Sequence, residues 1–316
     1  MSAKTLTECC ATDATPTANA EMSSDPTNTL PIRRDFLNEV RRRFRRVRGL
    51  LRRTVGYEND ALHLKKGTSL APNAEPRETF RVSTRQGLQQ AFDDWFSQAV
   101  EDGILEPLPP SQIKDGQHWT SQYVRASYEK GWKNAEGRLM QEGVSIAAVE
   151  EVFDQPVAKS ALRRIYTSTF SDMQEITEAA KIAVRQEVAR GFAEGVNPRE
   201  MARRVTKKTR DIQRTRAETL ARTKTIDAYS EATLDRYEQA GVDTVSHGEW
   251  ATAGDSRVCP ICMALEGRTF KIPEMRGGTF EFAAEDEGVD DSLAGSYQLK
   301  PPAHPNGRCT ILPVVN

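Results

Sequence analysis

Near the end of the chain, Cys259-Pro260-Ile261-Cys262 is answered by His304-Pro305-Asn306-Gly307-Arg308-Cys309. Cys259, Cys262, His304 and Cys309 are the donors that a tetrahedral zinc takes, and three cysteines with one histidine make a common structural set. A two-residue gap lets both thiolates of one turn face a single ion. The distance from Cys262 to His304 exceeds the usual finger spacing, so the fold between the pairs must bring them together. A buried thiol pair with a turn histidine is the other reading of the same residues. A closed Cys3His set leaves no position for water, so a zinc here would hold structure and activate no nucleophile. A disulfide fits less well, because nothing in the chain points to export and CxxC pairs that remain inside a cell bind metal or do redox work.

Little else in the sequence has the makings of catalysis. The histidines are His63, His118, His247 and His304. If His304 serves a metal, His247 is the remaining one near it, and an ordinary position in an expected strand explains it. No Ser/His/Asp arrangement and no phosphate-cradling glycine loop with its lysine is present, and the chain is read as not an enzyme. Asp255, four residues before Cys259, is placed to cap the turn that carries the CxxC or to accept a hydrogen bond from a ligand. Arg308 is placed to offset thiolate charge. Ordinary turn and surface chemistry accounts for both as well.

A second chemical feature lies near the other end. The net charge of the 316 residues is -1, yet Pro31 to Arg53 holds ten arginines against two acids. Phe36, Val40, Phe44, Val47 and Leu51 recur at helical spacing, which makes this stretch a basic amphipathic helix over residues 31–55. Its arginines Arg41, Arg42, Arg43, Arg45, Arg46, Arg48, Arg52 and Arg53 suit DNA phosphates, an anionic membrane or a partner's groove. Docking on the chain's own body is an equal alternative. The region from Glu281 to Asp291 is acidic, so opposite charges are separated along the chain.

The elements that must position these groups are mostly helical. Residues 1–30 are poor in large apolar side chains and are expected to be a disordered tail, with Cys9 and Cys10 as bystanders. Residues 56–82 read as linker. A helical body is expected over 83–240. Ser83 and Gln86 cap one helix that ends at Gly103, and a second runs from Trp119 to Gly143. A short one starts at Ser145, and a long one covers Val157 to Gly195. Asn197-Pro198-Arg199-Glu200 starts another helix, and Thr215-Arg216-Ala217-Glu218 reads as a capping box for the last. That last helix carries Ala217, Ala221, Ala228 and Ala232 on one stripe. After Gly241, strands are expected at Val242–Trp250, Arg268–Ile272 and Thr310–Val315, with a long loop over 273–300. The expected class is α+β: a helical body, a small zinc-stapled β subdomain over 241–316, and a disordered N-terminal tail. No run approaches the ~20 apolar residues of a membrane span, and no secretion signal opens the chain.

Several blocks together resemble the phage head morphogenesis family, the Mu F-like minor head proteins of tailed viruses. They are Ala221-Arg222-Thr223-Lys224, Gly241, the run from Trp250 through Asp255 to Cys262, Leu265 to Phe270, and Pro301 to Thr310. Many members of that family have a cysteine where this chain has Gly307. The resemblance implies a minor capsid protein that binds the portal, with capsid or scaffold proteins as further partners. It would be made in the host cytoplasm and enclosed in the virion head near the portal vertex. The CxxC, His-Pro-Asn and final cysteine are also similar to zinc-stapled HNH nucleases, so a packaged nuclease or effector, or a DNA-binding protein acting through the arginine helix, is the alternative.

Overall fold

The computed structural model describes residues 25–56, 60–64, 84–145, 151–283 and 291–316. The chain divides into two compact units. One combines the described residues of Met1–Leu37, Pro109–Phe170 and Thr219–Asn316; the other combines those of Asn38–Leu108 and Ser171–Glu218. The expected helical body is therefore shared between two units, and its last helix belongs with the C-terminal strands.

The basic helix, α1, spans Leu30–Val55. Its apolar positions Phe36, Val40, Phe44, Val47, Leu51 and Val55 are all buried, as their spacing requires. Of the expected tail, residues 1–24 lie outside the described residues, but the segment just before α1 is an ordered turn. Asp25 accepts hydrogen bonds from the Thr27 and Leu30 backbone at 3.2 and 2.7 Å. Side chains of Asn134 and Arg138 donate to the carbonyls of Thr27 and Pro26. A short carboxylate that satisfies otherwise unpaired N–H groups orders this stretch, without large apolar side chains.

In the unit formed by 38–108 and 171–218, α2 spans Arg85–Val100. Its cap is Thr84, which accepts from Gly87 N at 3.1 Å; the expected cap Ser83 is outside the described residues. The helix does not stop at Gly103. It continues as a π-helical turn, Glu101–Leu105, and reverses at Glu106. At Gly103 a Cβ would lie 3.0 Å from Val47, so the residue serves the packing between these two segments. Within the expected linker, Ala61 and Leu62 are buried. Lys181 pairs with Glu101 and Arg185 with Asp93, each at 2.8 Å.

The unit formed by 25–37, 109–170 and 219–316 holds the short α3, Pro110–Lys114, and α4, Ser121–Gln141. The proposed short helix after Ser145 falls mostly on residues outside the described ones; a single turn at Val152–Asp154 is seen. The long helix α5, Pro156–Glu194, ends at Gly195 as its pattern predicts. Helix α6, Pro198–Ile212, is capped by Asn197. It runs through a π-helical turn, Gln213–Ala217, directly into α7, Glu218–Ala240. Thr215 is therefore not a cap. Its hydroxyl donates back to Asp211 O at 2.9 Å, a bond made in the middle of a helix.

Ala217, Ala221, Ala228 and Ala232 are all fully buried. Two core clusters of this unit join α7 to α4: Ala228 and Ala232 pack with Val124, Tyr128 and Trp132, and Leu234 and Tyr237 with Ala135 and Leu139. The second cluster continues into Trp250, Cys259, Cys262, Leu265, Ile272, Met275, Cys309 and Ile311. The C-terminal region, expected as a zinc-stapled β subdomain over 241–316, thus shares one core with two helices. A small sheet has too little apolar face to be stable alone.

Strands β1 (Val245–Ala251), β2 (Thr269–Lys271) and β5 (Thr310–Val315) form an antiparallel sheet in the order β2-β1-β5. Between β1 and β2 lies the short helix α8, Pro260–Leu265. The expected long loop is largely structured. It contains α9, Ile272–Gly277, and an antiparallel pair, β3 (Thr279–Phe282) and β4 (Gly295–Gln298). Phe280 stands opposite Tyr297, and Phe282 is buried beside it, a pairing that glycines and acids in the same stretch concealed.

Candidate metal centre

Cys259 is the N-cap of α8, with Pro260 in its first turn and its sulfur accepting from Cys262 N at 3.4 Å. Proline at the first helical position is preorganised for this start. One helical turn then brings Cys262 to the same side. The approach to Cys259 is fixed by Asp255, whose carboxylate accepts from Arg257 N at 3.0 Å and from the Arg257 side chain. Arg308 donates to both Asp255 oxygens, at 2.8 and 2.6 Å. Arg308 thus ties the loop before Cys259 to the residue before Cys309.

On the other strand of chain, Asn306 N donates to Thr223 Oγ1 at 3.3 Å, which docks the His304–Cys309 loop on α7. His304 Nε2 then lies 2.9 Å from Cys259 Sγ and 3.3 Å from Cys262 Sγ. The donor atoms of Cys259, Cys262 and His304 all fall within 4.8 Å of one another, and the three residues are buried. Cys309, also buried, is in hydrogen-bonding reach of Cys262 but is not part of that mutual group. The structure brings three of the four sequence-predicted ligands together and leaves the fourth at their side.

These residues fit a metal on the chemistry of the set. Ligand bonds of about 2.0–2.3 Å at tetrahedral angles separate donors by about 3.5 Å, close to the spacing seen. His304 Nδ1 faces the Pro305 carbonyl at 2.9 Å. An Nδ1–H donated there leaves the lone pair on Nε2, towards the sulfurs, the tautomer a metal requires. The Cys262 thiol is pushed well above its ordinary value by hydrogen bonding to Cys259 and Cys309 and then by burial. For His304, burial disfavours the cation, but contact with Cys259 and the Pro305 carbonyl outweighs it and raises the pKa. Several buried thiols cannot ionise together without a cation, and a dication is what would let them.

Two other predicted features resolve differently. His247 lies on β1 opposite Lys271 and Val314, its Nδ1 2.9 Å from Ser246 Oγ, and is not in the ligand group. Among the arginines of α1, Arg43 is buried and pairs with Glu39 and Glu106 at 2.8 and 2.6 Å, which removes it from any contact surface. Arg41 pairs with Glu218, Arg42 with Glu39, and Arg48 donates to Gln213. Arg45, Arg46, Arg52 and Arg53 are exposed.

One polar centre had no motif to announce it. Glu231, buried on α7, meets Arg164 at 2.7 Å, Lys300 at 2.6 Å and Arg276 at 2.5 Å. Asp235 meets Arg276 at 2.8 Å and accepts from Tyr128. Burial acts on both carboxyls. At Glu231 the three cations overcome it and the pKa is lowered, whereas at Asp235 burial prevails and the pKa is raised. Arg276 of α9 and Lys300 beyond β4 pin the structured insertion to α7. Only the helical spacing of Asp227, Glu231 and Asp235 in the sequence hinted at a shared acidic face.

Among the described residues, no helix is long and apolar enough to cross a membrane. Residues 182–312 match the family described as Phage Mu protein F like protein. The match covers the end of α5, α6, α7, the ligand group and the first half of β5. No curated protein matches the chain, and no solved structure does.

Proposed function

With residues 182–312 in the Phage Mu protein F-like family, we propose that the protein is a structural minor head component of a tailed virus, acting in head assembly. The observation that carries this reading is that family match over the segment holding Cys259, Cys262 and His304. The ligand group supports a structural part: it is buried, and with Cys309 as a fourth ligand it would make a closed staple. We propose zinc as the ion, held by Cys259, Cys262 and His304 with Cys309 as fourth ligand. When bound it supplies the positive charge that the clustered sulfurs need.

The portal is the proposed partner, reached through the helices between residues 115 and 240, with capsid or scaffold proteins as further contacts. The protein is then enclosed in the head near the portal vertex, where the exposed arginines of α1 are available to packaged DNA. Mass spectrometry of purified particles, with co-purification of the portal and the full chain, tests the assignment. Presence in heads at a few copies and recovery with the portal are expected; absence from particles overturns it.

A further inference from the structure

Two rows of cations in this chain share one spacing. Arg41, Arg45, Arg48 and Arg52 recur at intervals of four, three and four on α1. Arg203, Lys207, Arg210 and Arg214 recur at the same intervals on α6 and the π-helical turn that continues it. Such spacing keeps a row on one face of its helix. Within the unit formed by 38–108 and 171–218 the two helices run antiparallel. Arg41 meets Glu218 at 3.0 Å, Arg48 donates to Gln213 Oε1 at 2.6 Å, and a Cβ on Gly56 would lie 3.9 Å from Ala202. Ala202 and Gln213, which face α1, are buried, while the α6 row beside them is exposed along its length. Arg48 is half-buried, and the rest of the α1 row is exposed.

The rows therefore flank one seam. Burial, and then the charges of Arg210, Arg45 and Arg52, hold the Arg48 guanidinium below its ordinary value, so cations of both rows act on one another. Its partner Gln213 is neutral. Arg41 is answered by Glu218, and Arg203 by Glu200 at 2.7 Å. Among the described residues, no carboxylate pairs with Arg45, Arg48, Arg52, Lys207, Arg210 or Arg214. Asp211, next in sequence to Arg210, lies about 100° round the helix from it. Like charges gathered without a counter-charge oppose folding, and an external polyanion relieves that repulsion.

We propose that the two rows form one binding face for the phosphates of duplex DNA, with α6 supplying half of it. The proposal rests on the reading that α1 reaches packaged DNA, and adds the second helix. Each row is about 16 Å long at 1.5 Å per residue, enough to pass several phosphates of a strand that rise about 3.4 Å each along the duplex axis. Packed helices lie about 8–10 Å apart, so the charge is a band and not a line. Proteins that hold single strands add aromatic rings for stacking, and these rows are made of cations alone. A helix lying in a membrane surface gives its large apolar side chains to the lipid, whereas those of α1 are buried in protein.

Fluorescence anisotropy of a short duplex with the full-length protein, read at several salt concentrations, tests this. The triple variant Lys207→Gln, Arg210→Gln, Arg214→Gln should make the slope of log affinity against log salt shallower by about 2–3. Its Tm should stay level or rise, because repulsion at the seam is relieved. Gln213→Glu gives Arg48 a carboxylate in place of a neutral amide and should flatten the slope by about 1. Arg125→Gln, Lys133→Gln, Arg163→Gln makes the same change of charge in the other unit and should leave the slope as it was. DNA binding that persists with an unchanged slope in the α6 variant overturns the shared face and leaves α1 as the sole contact. An equal loss in the control variant assigns the effect to net charge and overturns it too, as does tighter binding of a single strand of the same length or of phosphatidylserine vesicles. Absence of DNA binding by the unaltered protein overturns the α1 reading as well, which keeps the two failures apart.

Discussion

Arg308 and Asp255 form a two-point ion pair, 2.8 and 2.6 Å, across the two halves of the ligand group. The pair ties the Cys259 loop to the Cys309 loop. Hydrogen bonding to Arg308 is the main reason the Asp255 carboxyl lies well below its ordinary range; burial opposes it, and Arg257 adds to it. A depressed carboxyl contributes stability above its unfolded value near 3.9, and loses that contribution as pH falls towards the folded value. Asp255→Asn should therefore cost about 1–3 kcal/mol at neutral pH, the range for hydrogen bonds to a charged partner. The difference from the unaltered protein should stay level from pH 8 to 5 and shrink below about pH 4. Urea melts across that series check it, and a difference that changes around neutrality would contradict the assignment.

The metal prediction follows from the shared core. Purified protein should carry about one zinc per chain, and Cys259→Ser, Cys262→Ser or His304→Ala should each abolish it. Cys259, Cys262 and Cys309 lie in one cluster with Leu234 and Tyr237 of α7 and Leu139 of α4. Metal loss should then weaken hydrogen-exchange protection in α4 and α7 as well as in the C-terminal strands, because binding energy at a structural site is folding energy. Cys309→Ser separates three ligands from four: reduced zinc content assigns it as a ligand, and full content removes it. Protein that holds no zinc and melts unchanged after Cys259→Ser would defeat the staple.

The helical turn that starts at Cys259, the apolar face of α1, the span of α5 and the Asn197 cap were all legible in sequence, because each depends on residues within a turn or two of one another. The same locality explains what was not. Thr215-Arg216-Ala217-Glu218 has the letters of a capping box, yet a π-helical turn carries the helix through it, and Glu218 instead accepts from Arg41 and Gln213. Phe280 and Tyr297 pair across the 16 residues between them, where no periodicity accumulates. The union of the C-terminal strands with α4 and α7 rests on contacts such as Arg138 to Ile311 O at 2.7 Å and Tyr237 to the same carbonyl at 3.2 Å. Nothing local encodes those.

Helix α4 offers an internal control on how closely it approaches α7. At Gly131 a Cβ would lie 2.2 Å from the Tyr229 carbonyl oxygen, whereas at Gly137, on the same helix, nothing lies within 4 Å. Gly131→Ala must push two backbones apart and should destabilise by about 1–3 kcal/mol or more, as overpacked sites do. Gly137→Ala should stabilise by about 0.4–1 kcal/mol through the entropy of the unfolded chain. Denaturant midpoints of the two variants should move in opposite directions, and equal shifts would show that the helices do not cross there.

Several arginines of α1 are paired within the protein, Arg41 and Arg42 while also exposed. Arg43 is buried between Glu39 and Glu106, Arg41 is held by Glu218, and Arg48 donates to Gln213. Arg45, Arg46, Arg52 and Arg53 are exposed, on a helix whose opposite face is packed. Non-specific DNA binding by the full chain should therefore weaken as salt rises. Each phosphate that an arginine neutralises adds about -0.9 to the slope of log affinity against log salt. Replacing Arg45, Arg46, Arg52 and Arg53 by glutamine should make that slope shallower by up to about 3–4 and leave the melting temperature near its starting value. Arg43→Ala should do the reverse: it leaves two carboxylates short of a partner and lowers stability, with the salt slope unchanged. Fluorescence anisotropy with a short duplex, read at several salt concentrations, separates the two outcomes. An unchanged slope in the fourfold variant would assign the exposed face of α1 to a protein partner and take DNA away from it.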